Sequence, residues 1–334
     1  FGQETCVTTA RGEVDLMTSV LLIAERDDQG EISQSTLQGI TAANTLTNAN
    51  VTVAVVGDAA GSASTLAVNK VITISAISAA DNGIYERVTD EVAALVSSTA
   101  PDVVILSKTD FGSVVGARLA FRIDAGFAAD CIEISKSSDS VSVTRPVYGG
   151  SALAEYEIAS SPAVLTLRAG AYEPTNDDGT PEVESFSSEA TAEQHASVSD
   201  TILEAREGVR LEDADFVVGG GRGLGGPEPF SVLTDLANVL GGAVGASRAA
   251  CDAGWIDHSH QIGLTGKSVS PDVYIAVGIS GASQHMAGCS SSRAIVAINK
   301  DSDSNIFKEA RFGVVGDWEK VLPAFIETVR ELRA

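Results

Sequence analysis

The glycine-rich run from Gly219 to Gly226 is the feature of this sequence that most directly suggests anion binding. It reads GGGRGLGG, follows an apolar stretch typical of a strand, and precedes a segment whose apolar residues have helical spacing. Glycines let the backbone approach a pyrophosphate, and the N-terminus of the following helix supplies positive potential. The guanidinium fork of Arg222 also suits phosphate. The pattern is short, so a tight turn without a ligand stays open as the alternative.

The residues after this turn differ from an ordinary NAD-binding fingerprint. That fingerprint places an acid about 20 residues further on, at the end of the next strand. The corresponding stretch, from Ala243 to Arg248, reads AVGASR and contains no carboxylate. We therefore do not expect the ribose contact of an NAD-dependent dehydrogenase here.

Three further polar clusters follow apolar runs in the same half of the chain. They are Gln261–Lys267, Gly278–His285 and Ala297–Asp301. Ligands of open α/β sheets bind outside the carboxyl ends of the strands, so we expect the clusters to converge on one site. Lys267 and Lys300 are equally compatible with phosphate contacts and with surface charges.

The other reactive side chains do not suggest a metal site or covalent catalysis. The cysteines are far apart and form no Cys-x-x-Cys pair, so neither a disulfide framework nor a zinc site is expected. The stretch Asp257–His260 lacks a partner cluster that would complete three or four metal ligands. We predict no catalytic residue and no metal-ligating residue.

Short β-branched runs alternate with helical patterns along the first half of the chain, which predicts a parallel sheet covered on both faces. After Asp130, four strands follow without intervening helices, at residues 131–134, 141–144, 152–158 and 163–167. We interpret them as an antiparallel extension that closes the first domain. A second α/β pattern begins near residue 200. The predicted fold class is α/β, with two Rossmann-like parallel-sheet domains joined by an acidic linker.

The chain divides into three parts. Residues 1–16 are polar and lack the apolar core of a signal peptide, and we expect a disordered leader without function. Residues 17–199 form the first domain. Its last part, 172–199, is rich in Pro, Ser, Thr and acidic residues and is predicted to be a linker. Residues 200–334 form the second domain.

The charge of the chain argues against several classes of partner. The 334 residues include 45 Asp and Glu against 22 Lys and Arg, a formal net charge of −23. Such a chain repels the phosphate backbone of nucleic acids and also anionic lipid surfaces. No apolar run reaches the ~18 residues that span a bilayer. We expect a cytoplasmic protein that is not embedded in a membrane.

The sequence resembles the alpha subunit of electron transfer flavoproteins, including the nitrogen-fixation-associated alpha homologue. The resemblance rests on GGGRGL (219–224), GASRAACDAG (245–254), QIGLTGK (261–267), YIAVGISGASQH (274–285) and IVAINKD (295–301). It is most specific over residues 215–332, and the first domain matches in pattern, including RPVYG at 145–149. The sequence departs from the family at Leu264, where Gln is common, at Pro227–Pro229, and at Cys289 with the serines that follow.

The resemblance implies an FAD site in the second domain. Arg222 would lie near the pyrophosphate and Thr265 near the flavin N5. Arg248 would lie against the isoalloxazine and His285 near the pyrimidine oxygen, where both can stabilise the negative charge of reduced flavin. The implied cofactor contacts are Arg222, Ser247, Arg248, Ile262, Gly263, Leu264, Thr265, Ser280, Gly281, Ala282, Ser283, Gln284 and His285, with Asn299, Asp317 and Trp318 at the adenosine end.

The resemblance also implies an electron carrier and no substrate chemistry of its own, hence no enzyme. Its FAD would accept electrons from flavin dehydrogenases, such as the acyl-CoA dehydrogenases of fatty acid β-oxidation, and pass them to a membrane quinone oxidoreductase. The family works as a heterodimer with a beta subunit, which binds AMP or, in bifurcating members, a second FAD. The alternatives are a non-redox nucleotide-binding module that holds FAD or NAD, and a stand-alone oxidoreductase.

Overall fold

The computed structural model describes residues 17–27, 29–57, 62–75, 77, 84–137, 140–150, 152–175, 178–188, 196, 198–199 and 208–333. The predicted leader at residues 1–16 lies outside them. The described part contains two separate parallel sheets with helices, which confirms the predicted α/β class with two Rossmann-like domains.

The first sheet has seven strands, and all its pairings are parallel. Val20 and Leu22 of its central strand pack into one core and Leu21 and Ile23 into the core on the opposite face. This explains the continuous apolar runs, because a strand covered on both faces has no solvent side. The elements are β1 (Thr18–Ala24), α1 (Gln34–Asn44), β2 (Ala49–Val56), β3 (Lys70–Ile74), α2 (Tyr85–Thr99), β4 (Val103–Ser107), α3 (Asp110–Arg122), β5 (Gly126–Cys131), β6 (Glu133–Lys136), β7 (Val141–Val147), β8 (Ala152–Ile158), β9 (Ala163–Leu167) and β10 (Glu182–Phe186).

The predicted antiparallel extension is only partly correct. Strands β6, β7 and β8 do form a small antiparallel sheet. Strand β9 was expected with them, yet it lies in the parallel sheet between β4 and β5. All five residues of β9 are buried, as in an interior strand that both faces cover. The small sheet is therefore part of the crossover that returns the chain to the parallel sheet.

The segment predicted as an acidic linker contributes a strand to the first domain. Strand β10, within residues 172–199, pairs with β3 at the edge of the sheet, in the order β10-β3-β2-β1-β4-β9-β5. Lys70 Nζ lies 3.4 Å from Glu182 and 2.9 Å from Glu184. Backbone pairing and these exposed ion pairs hold an acidic strand that has little apolar surface to bury. The domain boundary near residue 199 stays a prediction.

The second sheet has six parallel strands in the order β13-β12-β11-β14-β15-β16. After β11, the chain adds β12 and β13 on one side of this strand. It then returns to place β14 on the other side of β11, followed by β15 and β16, so the switch point lies between β11 and β14. Its elements are β11 (Phe216–Gly220), α4 (Phe230–Leu240), β12 (Ala243–Ser247), α5 (Arg248–Cys251), β13 (Gln261–Ile262), β14 (Val273–Val277), α6 (Ser283–Cys289), β15 (Ala294–Asn299), α7 (Ile306–Glu309), β16 (Phe312–Val315) and α8 (Trp318–Arg333).

The helices of the second domain cover its sheet through narrow apolar faces. Leu233 and Leu236 of α4 and Leu322 of α8 are fully buried against the strands. Helix α4 ends at Leu240, and its C-cap residue Gly241 has a φ of 70°, which suits glycine. Among the described residues, no helix has both the length and the apolar character needed to cross a bilayer.

Candidate functional site

The glycine turn lies at the carboxyl edge of the second sheet, at its switch point. The amide of Gly221 donates to the Val277 carbonyl at 2.9 Å, and that of Gly223 donates to the Gly278 carbonyl at 2.9 Å. A Cβ on Gly221 would lie 2.2 Å from the Gly278 oxygen. The turns after β11 and β14 therefore touch backbone to backbone, which only glycine permits. Ligands of open α/β sheets bind at this point of the fold.

The end of the glycine turn and Trp318 come from distant parts of the chain and line one hollow. The turn Arg222–Leu224 is a single 3-10 turn, and the side chain of Arg222 is exposed. A cavity of about 500 Å³ beside it is lined by Leu224, Gly225, Gly226, Glu228, Pro229, Val232, Trp318 and Glu319. The structure thus brings together the turn predicted to hold a pyrophosphate and the tryptophan predicted for the adenosine end.

Ser247 ends strand β12 with an unsatisfied polar atom. Its Oγ is buried and has no hydrogen-bond partner among the described residues. It occupies the N-cap position of α5 but makes no capping bond with its side chain. An unpaired buried hydroxyl costs roughly 1–3 kcal/mol, so such an atom calls for an explanation. A ligand atom at this edge would satisfy it, and in this respect the residues fit the FAD that the resemblance implies.

Arg248, which follows Ser247, is held only weakly by the protein. Its Nε lies 3.3 Å from Asp252 one helical turn later, and both side chains are more than half exposed. Exposed pairs of this kind contribute only ~0.3–0.5 kcal/mol. The guanidinium is therefore free to turn toward an anionic ligand at small cost.

The loop after β13 is fastened to the start of α6. The Leu264 amide donates to the Gln284 carbonyl at 2.7 Å. A Cβ on Gly263 would lie 2.8 Å from the same oxygen, and Gly263 has a φ of 145°. Gln261 Nε2 donates to the Thr265 hydroxyl at 3.1 Å, whereas the Leu264 side chain is 63% exposed. The predicted residues 262–265 and 283–285 thus lie side by side, joined through the backbone of Leu264 and Gln284.

The two lysines left open by the sequence differ in their surroundings. Lys267 Nζ forms an ion pair with Glu212 at 2.8 Å, and both side chains are less than a third exposed. This ion pair and a hydrogen bond from Lys267 hold the pKa of Glu212 below its ordinary value, against the effect of burial. Lys267 therefore ties the loop after β13 to Glu212. Lys300 is exposed at the end of β15.

His285 is buried and both of its ring nitrogens are bonded to the protein. Its Nε2 lies 2.9 Å from the Tyr274 hydroxyl and its Nδ1 lies 3.1 Å from the Ile262 carbonyl. Burial lowers the pKa of His285 to about 4, although the bond to Ile262 acts in the opposite direction. In this arrangement the imidazole of His285 is neutral at pH 7, so it can act on a neighbouring group through its dipole but not through a full positive charge. The charge-stabilising role predicted for His285 stays a prediction.

Ser280 and Asn299 fix the loops on the other side of the switch point. Asn299 donates through Nδ2 to the Ile279 carbonyl at 3.0 Å and to the Ser304 hydroxyl at 3.2 Å. The Ile306 amide donates to the Ser280 carbonyl at 3.1 Å. A Cβ on Gly281, whose φ is 76°, would lie 2.3 Å from the Ile306 nitrogen. These residues shape the edge by holding its loops together.

Asp317 directly precedes α8, whose first residue, Trp318, lines a hollow together with the end of the glycine turn. Its carboxylate accepts a hydrogen bond from the Glu319 amide at 3.1 Å, and its side chain is exposed. Asp317 and Trp318 follow β16, on the same side of the switch point as Ser280 and Asn299, at the carboxyl edge of the six-stranded sheet.

The described residues contain no group of three or more His, Cys, Asp and Glu side chains placed to hold a metal ion. Three of the four cysteines, Cys131, Cys251 and Cys289, are free and buried. Burial raises the pKa of each thiol, to about 12, 11 and 12 respectively. They remain protonated at pH 7 and are poor nucleophiles.

A second, larger cavity that sequence reasoning missed lies between the two sheets. It measures about 980 Å³, and its lining includes Glu25, Thr109 and Arg210 as well as Thr265 of the loop after β13. Glu25 follows β1 and Thr109 follows β4, the two strands at the switch point of the first sheet. The signal in the sequence was Glu25, a charged residue directly after an apolar strand, comparable to the polar clusters that follow apolar runs in the second domain.

Comparison with known proteins gives matches along both domains. The models described as "Electron transfer flavoprotein domain" and "Electron transfer flavoprotein FAD-binding domain" match residues 20–191 and 210–290. The chain is 38% identical over 321 residues to the "Electron transfer flavoprotein subunit alpha" of Mycobacterium tuberculosis, which covers 94% of this chain and 99% of that protein. The protein of that name from Thermoanaerobacterium thermosaccharolyticum is 40% identical over 263 residues, covering 76% and 80%. "Protein FixB" of Clostridium saccharobutylicum is 39% identical over 243 residues, covering 71% and 73%.

Proposed function

This chain belongs to the electron transfer flavoprotein family as an alpha subunit, and we propose that it carries electrons on an FAD held at the carboxyl edge of its six-stranded sheet. The single observation that supports this placement best is the buried, unpaired Ser247 hydroxyl at the end of β12. Strand β12, which ends at Ser247, pairs with β11, and β11 leads into the glycine turn.

The chain's own residues have distinct tasks in this proposal. The turns at Gly221 and Gly278 are joined backbone to backbone and form a compact edge beside which the pyrophosphate would lie, and the exposed Arg222 would neutralise its charge. Ser247, Arg248 and Ile262–Thr265 would line the flavin ring, and Ser280–His285 would lie beside the ring and the pyrophosphate. Asn299, Asp317 and Trp318 hold the adenosine end. When bound, FAD supplies the electron-accepting chemistry, and the protein supplies orientation and electrostatics.

We extend the proposal to the partners. The protein works as a heterodimer with a beta subunit that holds AMP or a second FAD. Dehydrogenases such as acyl-CoA dehydrogenases donate electrons, as in fatty acid β-oxidation, and a membrane quinone oxidoreductase accepts them. One FAD binds per alpha subunit and no substrate is transformed. The cytoplasmic location also stays a prediction.

The test is the colour and chemistry of the heterodimer purified after co-expression with its beta subunit. We expect a yellow protein that bleaches on addition of dithionite and that is reduced by a dehydrogenase with its substrate. A colourless protein after loading with FAD would overturn the proposal. Bound FAD that no dehydrogenase reduces would favour a non-redox module. Turnover of a small substrate without a protein partner would favour a stand-alone oxidoreductase.

A further inference from the structure

Three residues from three elements of the second domain form a buried chain of hydrogen bonds. Tyr274 of β14 is fully buried, and its hydroxyl lies 2.9 Å from Nε2 of His285 in α6. Nδ1 of His285 lies 3.1 Å from the carbonyl oxygen of Ile262, the last residue of β13. The chain thus joins the interior of the sheet to the loop on which the flavin ring is proposed to lie.

The chemistry of the two partners determines the tautomer of His285. The Ile262 carbonyl can only accept a hydrogen bond, so the proton resides on Nδ1. Nε2 is then the acceptor and the Tyr274 hydroxyl is the donor. Burial raises the pKa of Tyr274 well above its ordinary value, so this hydroxyl keeps its proton. With the proton on Nε2 instead, the lone pair of Nδ1 would face the carbonyl oxygen, and the buried carbonyl would lose its bond.

Gly219 provides the space that the Tyr274 hydroxyl needs. A Cβ on Gly219 would lie 2.1 Å from the hydroxyl oxygen and 2.7 Å from Cζ. Both contacts are far shorter than real Cβ contacts, and the neighbouring ring is fully buried, so it has little room to move. Gly219 lies within strand β11, before the turn, and its φ is not positive. Its lack of a side chain is therefore explained by close approach of Tyr274 and not by backbone conformation.

The position of His285 affects the loop after β13, on which the flavin ring is proposed to lie. The ring bonds to Ile262, while the backbone of the preceding residue, Gln284, accepts the hydrogen bond of the Leu264 amide at 2.7 Å. These two bonds fasten both ends of the segment Ile262–Leu264 to α6. A shift of the imidazole would displace the loop relative to the sheet.

We propose that Tyr274 is a positioning residue whose hydroxyl holds His285 as the Nδ1-protonated tautomer and thereby fixes the loop Ile262–Thr265 for the flavin. The tautomer is a property of this chain alone, whereas its effect on the cofactor rests on the proposed function. Tyr274 itself is expected to touch no substrate or cofactor atom.

The test uses the heterodimer with 15N-labelled histidine, in which long-range nitrogen–proton spectra report the protonation of each ring nitrogen. The chain has four histidines, and a His285→Gln variant identifies the signals of His285. We expect a protonated Nδ1 and an unprotonated Nε2 in the natural chain. In Tyr274→Phe, which keeps the ring but removes the donor, we expect the Nε2 resonance to move and the second tautomer to become populated.

Two further variants make the result specific. Gly219→Ala should reproduce the spectral change by displacing the hydroxyl, and Tyr156→Phe, on exposed β8, should not. FAD should dissociate from the Tyr274→Phe variant about fivefold faster than from the natural chain, as expected for the loss of one hydrogen bond. The proposal would be overturned if His285 of the natural chain carried its proton on Nε2. It would also be overturned if the His285 spectrum were unchanged in the Tyr274→Phe variant. A heterodimer that shows the expected tautomers but binds no FAD would refute the proposed function and leave the tautomer assignment standing.

Discussion

The carboxylate of Glu25 accepts a hydrogen bond from the Thr109 hydroxyl at 2.8 Å, at the switch point of the first sheet. Thr109 is also the N-cap of α3, because its Oγ1 accepts a bond from the Gly112 amide at 3.0 Å. Burial raises the pKa of Glu25 to about 7, and the nearby charge of Asp110 adds to this. The Thr109 bond and the charge of Arg210 act in the opposite direction but are outweighed.

The first prediction is that Glu25→Gln stabilises the folded protein at neutral and higher pH. The pKa of Glu25 is about 7 in the folded state and 4.5 for an unperturbed Glu, so the folded state binds the proton more tightly. Stability is therefore lost as the pH rises from about 4.5 to about 7, and the loss persists above that range. Glutamine resembles the protonated form, so the variant should gain up to ~3 kcal/mol relative to the natural chain.

Chemical denaturation at several pH values between 4.5 and 8.5 measures this difference. The gain of Glu25→Gln should grow through this window and level off near its upper end. Glu331→Gln, at an exposed position of α8, is the control and should follow the natural chain. A gain for Glu25→Gln that is the same at every pH would contradict the titration of Glu25.

The second prediction concerns the glycine turn. Arg222→Ala should weaken FAD retention about 10- to 150-fold, because a charge-assisted bond to phosphate contributes roughly 1.5–3 kcal/mol. Arg222 is one of several proposed cofactor contacts, which also include Ser247 and Arg248, so binding should weaken without being abolished. The spectrum of the retained flavin should be nearly unchanged.

Flavin fluorescence after dilution measures the release of FAD from Arg222→Ala. Arg293→Ala is the control, because the Arg293 side chain is 82% exposed. Retention equal to the natural chain would mean that the pyrophosphate lies elsewhere.

The third prediction is that Arg248→Ala changes the reduction potential of the bound FAD more than its affinity. A cation beside the ring favours the negatively charged reduced form. Solvent screening reduces the effect of a unit charge at about 4 Å to roughly 1–3 kcal/mol, or about 40–130 mV for one electron, and the potential should fall. Spectroelectrochemical titration measures it. Asp252→Asn, which releases Arg248 from its ion pair, should shift the potential slightly the other way. An unchanged potential with normal FAD content would refute the role of Arg248.

The local patterns of the sequence predicted the elements well, and the pairing between distant segments was harder to predict. Alternating apolar runs and helical spacing gave both parallel sheets, because a strand buried on both faces has a local signature. The places of β9 and β10 in the first sheet depend on partners far along the chain, namely β4 with β5 and β3. Their own residues do not encode those partners.

The same limit applies to the candidate site. The glycine turn and the polar clusters could be predicted because ligands bind at the carboxyl ends of parallel strands. The role of Gly219 in leaving space for Tyr274 could not be predicted, because only the folded chain brings the Tyr274 hydroxyl close to the Cα of Gly219. Nor does the sequence reveal that the ring nitrogens of His285 are both bonded within the protein. Such buried pairs depend on tertiary packing and leave no periodic signal.

The fourth prediction tests the buried hydroxyl of Ser247. In the protein without FAD, Ser247→Ala removes a buried polar atom that has no partner among the described residues. The variant should therefore be as stable as the natural chain or more stable by about 1 kcal/mol. With FAD bound, the natural hydroxyl gains its partner and the variant cannot, so the affinity of the variant should fall roughly five- to tenfold.

If Ser247 is a cofactor contact, Ser247→Ala must lower the affinity for FAD while it preserves or raises the stability of the FAD-free protein. Thermal unfolding of the heterodimer after removal of FAD gives the first, and titration of that protein with FAD gives the second. Ser231→Ala is a suitable control, because its exposed hydroxyl already donates to the Glu228 carbonyl at 2.8 Å. If Ser247→Ala lowers the stability of the FAD-free protein, the hydroxyl has a structural partner in solution. If it leaves FAD affinity unchanged, the cofactor does not reach the end of β12.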